Sequence, residues 1–265
     1  MYKYGFIGMG NMGSAMLAGL VRRYGRENVI FAEADTKKMK KKAEEELIAC
    51  TEDNKEVAAQ SKYIVLAVKP AVYEKVIKEI RESLDYSKVM ISIAPGITLE
   101  DLRTMAGEDV RIVRAMPNTP AMVGEGMTGV CYDANDFSDA EIRDIENFFS
   151  SFGKMRKVDE KIMSAVTCAS GSSPAYVYMF IEALADSVVK YGMTRKDAYE
   201  FVAQTVLGSA KMVLETKEHP GKLKDDVCSP GGTTIAAVEA LEENGMRSAL
   251  FKATEKCYRK CEHLD

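Results

Sequence analysis

Strand-like segments crowd the first part of this chain and stop near Val158. Short apolar runs at residues 4–7, 29–32, 63–67, 89–93 and 111–115 alternate with helical stretches at 12–23, 36–46 and 73–84. Alternation of this kind implies a parallel, doubly wound sheet. Residues 130–132 and 155–158 add edge strands around a helix at 140–151. Beyond them only helical spacing is found, at 163–167, 175–191, 195–215, 234–243 and 246–262. Val177, Phe180, Ile181, Leu184 and Val188 form one apolar face at i, i+3, i+4, i+7 and i+11. The fold class expected is α/β: a Rossmann-type parallel-sheet domain over residues 1–158, followed by an all-α domain over 159–265. Helices this apolar need a partner, so the second domain is expected to bury part of its surface against another subunit.

Two glycine loops lie at opposite ends of this plan. The first, Gly8-Met9-Gly10-Asn11-Met12-Gly13, follows an apolar strand and opens a helix. That context suits a dinucleotide pyrophosphate: Gly8 permits a tight turn, Gly10 lets the phosphates approach the backbone, and Gly13 allows close helix–strand packing. The second, Ser229-Pro230-Gly231-Gly232-Thr233-Thr234, also opens a helix. Its uncovered N–H groups and two hydroxyls suit a small carboxylate. N-capping accounts for one threonine, but not for two glycines and two threonines after a proline.

Glu33 lies 20 residues beyond Gly13, followed by Ala34 and Asp35. An acid there takes ribose hydroxyls and repels a 2′-phosphate, while Lys37 and Lys38 offset that repulsion, so NADH and NADPH stand even on physics alone. Ala67, Val68, Lys69 and Pro70 end a strand at the carboxyl edge, as do Ala94-Pro95-Gly96 and Met116-Pro117-Asn118-Thr119-Pro120. Ligands of such sheets bind along that edge.

Composition excludes several classes. The net charge of −4 comes from interspersed acids and bases, which argues against a nucleic-acid partner. The basic run from Lys37 to Lys42 is followed at once by Glu44, Glu45 and Glu46, a solvated helix face. Six cysteines without a C-x-x-C pair, and only two histidines, offer no metal ligand set and suit reduced, buried thiols in the cytoplasm. The first strand begins almost at Met1, so no targeting segment is expected. The uncharged stretch 162–181 is broken by Ser170-Gly171-Ser172-Ser173-Pro174, and reads as a kinked, buried helix, not a membrane span. His219, in Glu218-His219-Pro220-Gly221, reads as part of a turn. No serine–histidine or cysteine–histidine arrangement, and no acid pair suited to hydrolysis, stands out.

At these residues the chain resembles the pyrroline-5-carboxylate reductase family from end to end. The resemblance runs through GFIGMGNMG, LAVKP, IAPGIT, RAMPNTPAMV, SGSSPAYVYMFIEALAD and LGSAKMVLETKEHPGKLKDDVCSPGGTTIAAVEALEENG. It implies a Rossmann domain followed by a helical dimerisation and substrate domain, with dimers assembled further into rings. It also implies hydride transfer from NADPH or NADH to the C=N carbon of 1-pyrroline-5-carboxylate, giving L-proline. By the same resemblance Asn54, Lys69, Ala94 and Pro95 line the cofactor. The substrate carboxylate falls at Gly231, Gly232 and Thr233, the ring nitrogen near the Thr234 hydroxyl, and Glu160 and Asp226 close by. Thr234 and Lys69 are the residues expected to take part in the reaction.

One departure matters. Several relatives carry Ser or Thr after the second strand, where a 2′-phosphate can be held. This chain has Ala32-Glu33-Ala34-Asp35, which predicts that NADH is used well. A β-hydroxyacid dehydrogenase shares the glycine-loop opening but places a lysine four residues after a glycine on its interdomain helix. Here Gly171 is followed by Ser172-Ser173-Pro174-Ala175. A non-catalytic dinucleotide sensor would need no loop from Ser229 to Thr234.

Overall fold

In the computed structural model, which describes residues 1–264, eight strands form one sheet in the order β3-β2-β1-β4-β5-β6-β7-β8. They are β1 (Tyr2–Ile7), β2 (Val29–Ala32), β3 (Ala49–Thr51), β4 (Ser61–Leu66), β5 (Val89–Ser92), β6 (Arg111–Met116), β7 (Gly126–Cys131) and β8 (Gly153–Lys157). The first six run parallel, β7 pairs antiparallel with β6, and β8 pairs parallel with β7. The strand order reverses at β1 and β4, which is where sheets of this kind leave a crevice at their carboxyl ends.

Period-two alternation gives each sheet face its own core. Tyr4, Phe6, Phe31, Val65 and Ile91 point to one side, where α1 (Asn11–Tyr24) and later α6 (Asp139–Ser150) cover them with Met16, Leu20, Phe148 and Phe149. Ile7, Ile30, Ile64, Leu66 and Met90 point to the other. There α3 (Asn54–Gln60), α4 (Tyr73–Ile80) and α5 (Leu99–Ala106) supply Val57, Ile77, Ile80 and Leu102. Because both faces are buried at β2, β4 and β5, those strands read as apolar runs in the sequence.

Helix starts follow local chemistry. For α2 (Thr36–Glu46) the Asp35 carboxylate accepts the N–H groups of Lys37 and Lys38. Asp35 is therefore an N-cap. Reciprocal capping boxes start α5 (Thr98 with Asp101) and α6 (Ser138 with Glu141). The segment expected as one helix over 73–84 ends at Ile80 and continues as a 3₁₀ turn over Arg81–Ser83. Short β3, α3 and α5 were not legible, being too brief to show a period.

The chain divides into two compact units: residues 1–172 with the C-terminal segment from Tyr258, and Ser173–Cys257. In the first unit α7 (Met163–Val166) runs into a π-helical turn, Thr167–Gly171, closed by the Ser172 N–H on the Thr167 carbonyl at 2.9 Å. The kink expected near Ser170 is this turn.

The second unit holds α8 (Ser173–Val189), α9 (Arg195–Thr216), α10 (Pro220–Val227), α11 (Thr233–Glu243) and most of α12 (Met246–Cys261). The turn expected around His219 lies between α9 and α10, where His219 caps the second helix: its imidazole Nδ1 accepts the Gly221 N–H, and Pro220 takes the first helical position. Only Ala185, Ala198 and Val202 are buried where α8 meets α9. Tyr178, Met179, Phe201, Leu207, Leu214 and Phe251 are exposed, so the helix expected to be buried is mostly uncovered within one chain. Among the described residues no helix is long and apolar enough to cross a membrane.

Candidate active site

Gly8 closes the turn from β1 into α1 at a φ of +93°. A side chain there would meet the Val68 side chain at 2.7 Å and the Ala67 carbonyl at 2.8 Å. At Gly13 a Cβ would stand 2.7 Å from the Gly8 carbonyl, so helix and turn touch through the missing side chain. Around Gly10 a Cβ would meet nothing within 4 Å. Gly10 is also the N-cap of α1, without a side-chain cap and with no acid in the first turn. The amino end of a 14-residue helix thus opens onto empty space, and its dipole and free N–H groups favour an anion.

Two adjoining clefts follow the carboxyl ends of the strands. One, of about 440 Å³, runs from Gly8 and Gly10 past Ala32, Glu33, Ala34, Lys38 and Asn54 to Ala67, Val68 and Lys69. The other, of about 430 Å³, is lined by Gly10, Asn11, Met12, Ala67, Val68, Lys69, Ile93, Ala94, Pro95, Met116, Pro117, Thr167, Gly171 and Ser172. They share Gly10, Ala67, Val68 and Lys69. Together they suit a dinucleotide, whose phosphates an open helix start favours.

Individual side chains are placed by named bonds. Glu33, after β2, accepts the Met9 N–H at 2.8 Å and the Asp35 N–H at 3.2 Å. Ala34, beside it, adds no polar group. Lys38 reaches both the Glu33 cleft and a smaller hollow with Lys41 and Lys42. The Asn54 amide donates to Glu79 at 3.0 Å. Pro70 follows Lys69 into a 3₁₀ turn over Pro70–Val72, which leads to α4. The Asn118 amide donates to the Ser170 carbonyl at 3.1 Å and its oxygen accepts the Met127 N–H at 2.8 Å. This buried side chain anchors the π-helical turn that walls the second cleft. Thr167, Gly171 and Ser172 had no predicted role in that wall; the small-residue run in 167–173 was the available signal.

The second glycine loop is intact as a local structure. Gly231 takes φ +68°, and the Gly232 N–H returns to the Ser229 carbonyl at 3.0 Å. The N-cap of α11 is Gly232, without a side-chain cap, so neither Thr233 nor Thr234 is used for capping. A hollow of about 460 Å³ lies beside Gly231, Gly232, Ile235, Ala236 and Glu239.

Two predicted acids already have cationic partners. Glu160, in the first unit, accepts the buried Arg114 guanidinium and the Leu99 N–H, both at 2.7 Å. Asp226, on the exposed α10, pairs with Lys222 at 2.7 Å. Among the described residues no group of three or more His, Cys, Asp or Glu side chains could hold a metal ion.

Comparison with known proteins bears on this geometry. A family profile described as pyrroline-5-carboxylate reductase dimerisation matches residues 160–264, and one described as NADP oxidoreductase, coenzyme F420-dependent, matches residues 3–96. The pyrroline-5-carboxylate reductase of Escherichia coli (strain K12) is 48% identical over 99% of this chain and 98% of its own length. That of Arabidopsis thaliana is 38% identical over 99% and 95%. The crystal structure of Plasmodium falciparum pyrroline carboxylate reductase with NADP bound superposes with a TM-score of 0.90 at 34% identity, covering 99% of this chain and 97% of that one. A two-cleft trough at the strand-order reversal, an uncapped glycine helix start at each end of the chain, and full-length identity of this order have one common explanation: the chain belongs to the pyrroline-5-carboxylate reductase family.

Proposed function

We propose that this chain reduces 1-pyrroline-5-carboxylate to L-proline with NADPH or NADH. The trough over Gly10 carries the reading: its open helix terminus and its length suit a dinucleotide, and among the described residues no atom lies within 4 Å of where a Gly10 side chain would stand. A reduced nicotinamide dinucleotide, held along Gly8, Gly10 and Lys69, would supply the hydride that the imine carbon takes up. The chain's own residues then have three tasks: hold the pyrophosphate at the α1 amides, orient the substrate, and exclude water.

Gly231, Gly232 and Thr233 receive the substrate carboxylate at the uncapped start of α11. The Thr234 hydroxyl orients the ring nitrogen and stabilises the amine that forms there. Lys69, on the wall common to both clefts, holds the cofactor beside Ala94 and Pro95. Glu160 and Asp226, each already paired with a cation, are not the bases of the reaction. A protonated imine is already electrophilic, so positioning in a dry site supplies much of the rate without strong acid–base machinery.

The exposed apolar residues of α8 and α9 support self-association as a dimer; the proposal extends to a ring of such dimers in the cytoplasm. Glu33 supports good use of NADH, while Lys38 in the same cleft leaves NADPH acceptable. The test is oxidation of NADPH and NADH, measured separately with pyrroline-5-carboxylate. Turnover with either supports the reductase. Absence of turnover with both, in protein that is folded and dimeric, overturns it.

A further inference from the structure

The nicotinamide-side cleft is walled by two loops that leave neighbouring strands: Ala67, Val68 and Lys69 after β4, and Ile93, Ala94 and Pro95 after β5. The ladder between those strands ends at the pair Leu66↔Ser92. Just past that pair sits the phenol of Tyr73, the first residue of α4, fully shielded from solvent. Its hydroxyl donates to the Leu66 carbonyl at 2.6 Å and accepts the Ile93 N–H at 3.2 Å, with the Ser92 hydroxyl at 3.4 Å. One side-chain oxygen therefore stands where the next backbone rung would be.

The chain from Leu66 to Tyr73 is the loop that contains Lys69, and the Tyr73–Leu66 bond closes it on itself. The Tyr73–Ile93 bond then fixes that closed loop to the opposite wall. Burial pushes the phenol up to about 12, so the proton given to Leu66 stays in place through the neutral range. Phenylalanine would fill the same space but leave a buried carbonyl and a buried N–H unpartnered at the lip of the cleft. Such groups draw in water or move apart.

We propose that Tyr73 is a positioning residue for the cofactor: its hydroxyl sets the separation of the Ala67–Lys69 and Ile93–Pro95 walls and so the fit of the nicotinamide. The proposal rests on the reading that the cofactor occupies this trough.

The test compares Tyr73→Phe with Tyr63→Phe in the full-length protein. Tyr63 is an equally buried tyrosine near the start of β4, away from the cleft, with its hydroxyl 3.3 Å from Asp144. Both variants lose a buried hydroxyl and both are expected to melt at lower temperature. Only Tyr73→Phe is expected to weaken NADP⁺ and NAD⁺ binding, with KM for the reduced cofactor rising about tenfold and KM for pyrroline-5-carboxylate within about twofold of the parent. Wild-type affinity for both nucleotides in Tyr73→Phe, or equal weakening in Tyr63→Phe, overturns the positioning role while leaving the reductase reading untouched. Failure of the unmodified protein to bind either nucleotide overturns both.

Discussion

The carboxylate of Glu33 holds the backbone N–H of Met9 at 2.8 Å, so the end of β2 is fastened to the glycine loop by the same group that lines the cleft running from Gly8 to Lys69. The acid is pre-oriented at the loop, and a 2′-phosphate would have to approach it. Replacing Glu33 with Gln keeps the size and removes the charge. NADH efficiency is expected to fall about tenfold and NADPH efficiency to hold or rise, since a charge-assisted bond is lost on one side and a repulsion on the other. The ratio of kcat/KM for the two cofactors is the readout; an unchanged ratio excludes Glu33 from cofactor choice.

Gly8 and Gly10 differ in what surrounds them, and their alanine variants should differ likewise. Gly8→Ala puts a methyl against Val68 and the Ala67 carbonyl at a positive φ, so it should lower the melting temperature and weaken cofactor binding together. Gly10→Ala meets no protein atom within 4 Å, so it should melt as the parent does. Its methyl occupies the approach path of the pyrophosphate, and nucleotide affinity should drop at least tenfold, about 1.4 kcal/mol. Thermal melts beside titrations with NADP⁺ separate the two cases, and normal affinity in Gly10→Ala would remove the loop from cofactor binding.

For Thr234→Ala the expected loss in kcat/KM is tens-fold, about 2 kcal/mol, as for one well-placed hydrogen bond. Its hydroxyl caps nothing in α11, so stability should change little. Unchanged kinetics would take Thr234 out of the reaction.

Glu141 gives a pH prediction. Its partial burial raises the carboxyl's pKa, but bonds from Lys62, from the N–H and hydroxyl of Ser138 and from Arg111 outweigh that and bring it down to about 2. A carboxylate depressed from its ordinary 4.5 stabilises the fold above that value, and the contribution disappears as pH falls toward about 2. The loss amounts to about 3 kcal/mol at most. Urea unfolding at pH 7 and pH 3 should show it, and Glu141→Gln should flatten that part of the profile. An equally steep acid loss in the variant would assign the effect to other groups.

Tyr178, Met179 and Phe201 leave large apolar surface on the helical unit. Met179→Lys is expected to shift the protein toward monomer in sedimentation and to make its melting temperature lower and more concentration-dependent. A dimer as tight as the parent's would place the interface elsewhere.

The sequence by itself determined the two-part plan, most strand positions and both glycine loops. These depend on local periodicity and on glycines that local geometry requires, and both survive in a one-dimensional reading. β2 and α2 fall at the residues expected of them, because a short apolar run and an Asp35 cap specify them locally. Three-residue β3 is too short to display a period, and α10 was missed because Leu223 and Val227 are its only large apolar residues.

Only the tertiary structure decided which atoms meet. Nothing in the sequence distinguishes Tyr73 from the other tyrosines, or shows that Arg114 and Leu99 already occupy Glu160. Those relationships join residues from separate elements. They arise when parallel strands set neighbouring carboxyl ends side by side, where each buried polar group must find a partner across the fold.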